Sequence, residues 1–206
     1  MKKLLSLTLG AAFIAFGLLI GSAQAAETGK TAPDYSFTDI DGNAHKISGF
    51  KGKTVILEWT NPGCPFVKKF YDANEMQRVQ NEVLKDKDIV WISINSSAKG
   101  KEGNLDEAAA KKYIADHKAA PTAYVLDASG EFGKLYGAKT TPHMFVIDKN
   151  GKLVYQGAID SIKGFDPADI AKADNYVLKT LEALKAGKAP AVSSTEPYGC
   201  GVKYAD

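Results

Sequence analysis

Two cysteines, Cys64 and Cys200, are the only thiols in the 206-residue chain, and they differ in setting. Cys64 follows an apolar run, Thr54 to Trp59, and a turn at Asn61-Pro62-Gly63, and it precedes Pro65 and a helical apolar stripe. A sulfur at a helix start lies near unpaired amide hydrogens and the positive end of the helix, and both favour a nucleophilic thiolate. The alternative is an inert buried thiol. The turn before it and Lys68 and Lys69 after it favour a polar, accessible end. Cys200 stands between Gly199 and Gly201, which permit a sharp turn and close approach of another backbone.

Other side chains can assist a thiol. Glu58 lies in the apolar run before Cys64, where desolvation raises a carboxyl pKa toward the range useful for proton transfer; an exposed or lysine-paired glutamate is the competing reading. His143 directly follows Pro142 and is a candidate to approach Cys64 as base or metal ligand, but an ordinary loop histidine is the stronger reading. Two Cys and one His lack the close spacing of a metal motif, so neither metal nor cofactor is expected. His45 and His117 read as surface residues. The single arginine, Arg78, leaves few options for holding a reacting oxyanion.

The elements that position these groups follow from patterning. Phe37 to Ile40 and Ala44 to Ile47 flank Asp41-Gly42 as a hairpin. Thr54 to Trp59 and Ile89 to Ile94 are continuous apolar runs, as in strands covered on both faces. Between them Phe66, Phe70, Met76, Val79 and Val83 predict one helix from Pro65 to about Leu84. A helix over Asp106 to His117 and a strand at Ala123 to Leu126 follow, so the β-α-β-α order predicts parallel strands. Ser129 is a candidate cap for a brief helix ending at Tyr136-Gly137. Met144 to Ile147 and Lys152 to Gln156 form a hairpin about Lys149-Asn150-Gly151. Asp166-Pro167 opens a last helix carrying Val177, Leu178, Leu181 and Leu184 and stopped by Gly187.

The N-terminus carries Lys2 and Lys3, an apolar run from Leu4 to Ile20, and the small-x-small spacing Ala23-Gln24-Ala25. Residues 1–25 therefore read as a signal peptide, residues 26–188 as one domain and residues 189–206 as a tail. Export places the mature protein in the periplasm or outside the cell, without stable membrane insertion after cleavage. Loss of Lys2 and Lys3 takes 26 basic residues to 24 against 24 acidic ones, which suggests neither nucleic acid nor an anionic membrane surface as partner.

Three stretches, GKTAPDYSFTDIDG, VILEWTNPGCPFV and TTPHMFVIDKNGKLVYQG, resemble the thioredoxin-like redoxins, a superfamily that includes peroxiredoxins and exported thiol-disulfide oxidoreductases. The resemblance covers roughly Gly29 to Ile159. It implies an α/β thioredoxin-like fold, a central mixed sheet flanked by helices with an N-terminal β-hairpin and a C-terminal tail, and it puts Cys64 at the reactive position. It also implies that Thr141-Pro142 is the loop holding a cis proline beside the reactive cysteine, and that Glu58, six residues before Cys64, is the buried acid that shuttles its proton.

The chain departs from both familiar patterns. Cys64-Pro65-Phe66-Val67 has valine where a local dithiol needs its second cysteine. Leu57 and Asn61 occupy the peroxiredoxin proline and threonine positions, and Arg78 sits too early to be that family's arginine. The Gly-Cys tail resembles that of a redoxin group sharing the Cys-Pro-Phe-Val site, which implies Cys200 as resolving partner and a Cys64–Cys200 disulfide in an oxidising compartment. Such a bridge contributes about 5 kcal/mol in the chain-entropy model. The function expected is thiol-disulfide exchange with a protein or small-molecule thiol or disulfide, its electron donor unidentified. A thiol peroxidase, a metal carrier and a non-catalytic domain with a structural bridge remain open.

Overall fold

A computed structural model describes residues 25–206, so the leader reading lies outside the described residues except for Ala25. The chain begins with a hairpin, β1 (Ser36–Thr38) and β2 (Ala44–Lys46). Its turn is closed by the Asp39 carboxylate, which accepts from the amides of Asp41 and Asn43 at 2.9 Å. His45 reaches the same carboxylate at 2.7 Å and is only part-exposed, so it is not the surface residue its sequence context suggested.

Strand β3 (Thr54–Trp59) leads into α1 (Pro65–Asp72) and α2 (Glu75–Val83). One helix was expected here, and two are found. Asn74 takes a left-handed conformation, φ 58°, which asparagine tolerates better than most residues. Gln77 donates to the Tyr71 carbonyl at 2.9 Å, satisfying one of the acceptors exposed by the break. Next come β4 (Ile89–Asn95), α3 (Glu107–His117), β5 (Ala123–Leu126) and α4 (Glu131–Tyr136). The cap of α4 is Gly130 and not Ser129, whose hydroxyl nevertheless accepts from the Glu131 amide.

Two-residue β6 (Thr140–Thr141), β7 (His143–Ile147) and β8 (Leu153–Gly157) follow. Asp166-Pro167 opens a short 3-10 segment, Pro167–Lys172, in place of the last helix expected there. That helix, α5 (Tyr176–Lys185), starts afresh with Asn175 accepting from the Leu178 amide. The tail supplies β9 (Cys200–Gly201).

The central sheet runs β5-β4-β3-β7-β8, with β3, β4 and β5 parallel and β7 and β8 antiparallel to their neighbours. Both faces are covered, which is why β3 and β4 read as unbroken apolar runs. Alternation along β3 sends Leu57 and Trp59 toward Phe132, Tyr136 and Phe145, and Ile56 toward Cys64, Phe70, Met76 and Val177. Among the described residues no helix is long and apolar enough to cross a membrane.

Candidate functional site

Cys64 is the residue before α1, with Pro65 at the first helical position where a missing N–H costs nothing. Asn61 shapes the turn before it: its side chain accepts from the Gly63 amide at 2.7 Å and its carbonyl from the Cys64 amide at 3.0 Å. Cys64 is therefore held by the strand end, the turn and the helix start together. Its thiol donates to the Thr141 carbonyl at 3.1 Å, and the Thr141-Pro142 bond is cis. The Thr141 carbonyl, at the head of that cis bond, thus stands beside the sulfur.

Cys64 is fully buried, against the expectation of an accessible end. Two features account for this. Lys69 turns inward to pair with Asp160 at 3.2 Å, its side chain wholly covered. The C-terminal tail then crosses the site. Thr195 aligns beside β8, its hydroxyl accepting from the Ala158 amide at 2.9 Å. Beyond it β9 pairs antiparallel with β6, setting Cys200 opposite Thr141 and Gly201 opposite Thr140. Val202 donates to Lys139, Ala98 donates to the Lys203 carbonyl at 2.8 Å, and the Tyr204 hydroxyl donates to Ala138. Gly199, at φ 140°, touches Thr141 so closely that a Cβ would collide with its carbonyl oxygen.

Both cysteines are free thiols, and Cys200 packs against the buried cluster that contains Cys64. Burial, then the bond to Cys64, pushes the Cys200 thiol from 9.0 up to about 12. At neutral pH Cys200 therefore holds its proton.

Glu58 lies on the β3 face that carries Cys64, fully buried. Its carboxylate accepts from Ser93 at 2.7 Å, Trp91 at 2.8 Å and Tyr71 at 2.9 Å. Burial raises its pKa against the opposing pull of those donors. These bonds anchor it on β4 and α1, and none of them goes to Cys64.

His143 does not join the site. Strand alternation turns it to the opposite face, against Phe145 at 4.4 Å between ring centroids, where Nδ1 accepts from the Lys139 amide at 3.2 Å. Burial, and then the Lys139 charge, pull its pKa from 6.5 down to about 3, so it stays neutral. His117 is also part-buried, its Nδ1 against the Tyr113 carbonyl. Arg78 pairs with Glu75 at 2.7 Å on the exposed side of α2. Among the described residues no three His, Cys, Asp or Glu side chains converge as a metal set.

Sequence reasoning missed Lys69, Asp160 and Tyr198 at the site margin. The signal was a lysine between Phe66 and Phe70 on the apolar stripe of α1, a position that demands a buried carboxylate partner.

The Redoxin family model matches residues 27–176. The chain belongs to the Redoxin family. This redoxin is 30% identical over 132 residues to thiol-disulfide oxidoreductase ResA of Bacillus thuringiensis subsp. konkukian, covering 63% of this chain and 69% of that protein. It is 28% identical over 168 residues to peroxiredoxin Bcp of Bacillus subtilis, covering 77% and 95%. A crystal structure of an uncharacterized conserved protein from Geobacillus kaustophilus superposes with TM-score 0.74 at 26% identity, over 87% of this chain and 93% of that one. The redoxin's fold is thioredoxin-like, a central mixed sheet flanked by helices with the hairpin at its N-terminal side.

Proposed function

We propose that this redoxin is an exported thiol-disulfide oxidoreductase in which Cys64 attacks and Cys200 resolves. The observation that carries the reading is the Cys200 thiol lying beside Cys64 while the Thr141 carbonyl accepts from the Cys64 thiol. The Cys64 thiolate attacks one sulfur of a partner disulfide, forming a mixed disulfide and releasing the other partner sulfur as thiolate. Cys200, losing its proton, then attacks the Cys64 sulfur, leaving a Cys64–Cys200 disulfide and a fully reduced partner. A dithiol donor restores the pair by the same exchange in reverse.

Glu58 is assigned the shuttling of the Cys64 proton, and the Thr141-Pro142 loop the positioning of the partner. The similarity to ResA supports exchange chemistry, and the leader at residues 1–25 supports export to the periplasm or beyond. Residues 26–188 form the catalytic unit and residues 189–206 the tail that delivers Cys200.

Similarity to peroxiredoxin Bcp favours a second reading, in which Cys64 takes an oxygen from a peroxide and Cys200 condenses with the sulfenic acid to give the same disulfide and water. The pairing of Arg78 with Glu75 on α2 argues against efficient catalysis of that step. Assays of the purified protein with a reducible protein disulfide and with hydrogen peroxide separate the two. Exchange is expected to be the faster. Turnover of peroxide alone would overturn the first reading.

A further inference from the structure

The tail makes a buried polar contact that the exchange chemistry does not use. The Tyr198 hydroxyl, two residues before Cys200, donates to Asp160 Oδ1. The other carboxylate oxygen pairs with Lys69, and Oδ1 also accepts from the Ile162 amide at 3.2 Å. Lys69 and Asp160 are 0% and 3% exposed at their side chains, and Tyr198 is 8% exposed. A buried ion pair holds together only when its remaining lone pairs are filled, and Tyr198 fills one of them. The ring of Tyr198 meets Phe66, on the first turn of α1, edge to face at 5.9 Å. Burial and the neighbouring carboxylate raise the Tyr198 pKa, so the hydroxyl remains a donor throughout the physiological range.

While this contact holds, Cys200 occupies the backbone of Thr141 and Cys64 has no exposed surface. An outside disulfide has neither a pairing edge nor a path to the sulfur. We propose that Tyr198 is a positioning residue, latched to the Asp160–Lys69 pair, which keeps Cys200 over Cys64 and whose release admits the partner disulfide. The proposal rests on the exchange reading and deepens it, because the tail then acts as gate and resolving arm at once. Opening must precede attack by Cys64, and closing must precede resolution by Cys200.

The test uses the full chain with Cys200→Ser, so that Cys64 is the only thiol, and measures its alkylation by iodoacetamide. Adding Tyr198→Phe removes the hydroxyl and keeps the ring. It is expected to speed alkylation about tenfold or more, the range for a lost hydrogen bond to a charged group. Gly199→Ala, which breaks the tail's docking at Thr141, is expected to act in the same direction. Amide exchange along β3 checks that the sheet is intact in each variant.

A second arm keeps Cys200 and equilibrates the protein with glutathione. Tyr198→Phe should lower the equilibrium constant for the Cys64–Cys200 bridge about tenfold, because a loose tail presents Cys200 at lower effective concentration. Unchanged alkylation in both variants, with an intact sheet, overturns the latch. If wild-type protein forms no bridge, the resolving role of Cys200 fails, and the alkylation arm still decides the latch separately.

Discussion

Cys200 stands directly opposite Thr141 in the two-residue antiparallel pair that closes the tail over the sheet, and the carbonyl of that same Thr141 accepts from the Cys64 thiol. One residue therefore organises both sulfurs.

The protonated state of Cys200 sets a pH dependence. Burial is the first cause of its shift to about 12, so blocking Cys64 does not restore an ordinary thiol. In Cys64→Ser protein the alkylation rate of Cys200 is expected to keep climbing about tenfold per pH unit through pH 9. A plateau near pH 8.5 would contradict this. The sign for stability follows from the raised value: the protonated thiol's contribution is complete below about pH 9 and is lost as pH rises from 9.0 toward 12.

Glu58→Gln tests the proton carrier. The substitution keeps the shape and removes a buried carboxyl whose pKa is raised by desolvation, so the fold is expected to survive. Formation of a mixed disulfide on Cys64, followed by release of a chromophoric thiol, should slow at least about tenfold at neutral pH. An unchanged rate would reduce Glu58 to an anchor for Tyr71, Trp91 and Ser93.

His143 is expected to stay neutral as the solution is acidified. Its imidazole nitrogen resonances should hold steady from pH 8 to about 5, whereas an accessible histidine would titrate near its ordinary value. Because its folded-state pKa is lowered from 6.5 to about 3, the stability it confers is present above about pH 6.5 and is lost as pH falls toward 3. Titration of its ring near pH 6.5 in the folded protein would restore it as a candidate base.

Much of the scaffold was legible in the sequence because it rests on local patterns. Strands β3 and β4 announced themselves as unbroken apolar runs, and Ala123–Leu126 matched its expected bounds. The break at Asn74 was not legible, since the apolar stripe from Phe66 to Val83 continues across it and only a left-handed backbone betrays it. Asp166-Pro167 gave a sound capping signal, since Asp166 accepts from the Ala168 amide, but the turn it opens is 3-10 and ends at Lys172. The side His143 takes was not legible, because nearness to Pro142 in sequence says nothing about the face a strand residue takes. The burial of Cys64 and the Tyr198–Asp160 contact are long-range, joining segments 38 residues apart or more, and no local pattern encodes them.

The central claim is that Cys64 and Cys200 form a working pair, and the reduction potential of the oxidised protein tests it most directly. Non-reducing peptide mapping of air-oxidised protein should recover a Cys64–Cys200 peptide, and titration against a dithiol buffer should place its potential above about −300 mV, within reach of cellular donors. Two free thiols after oxidation would contradict the pairing, and a potential below about −300 mV would make the bridge a structural staple.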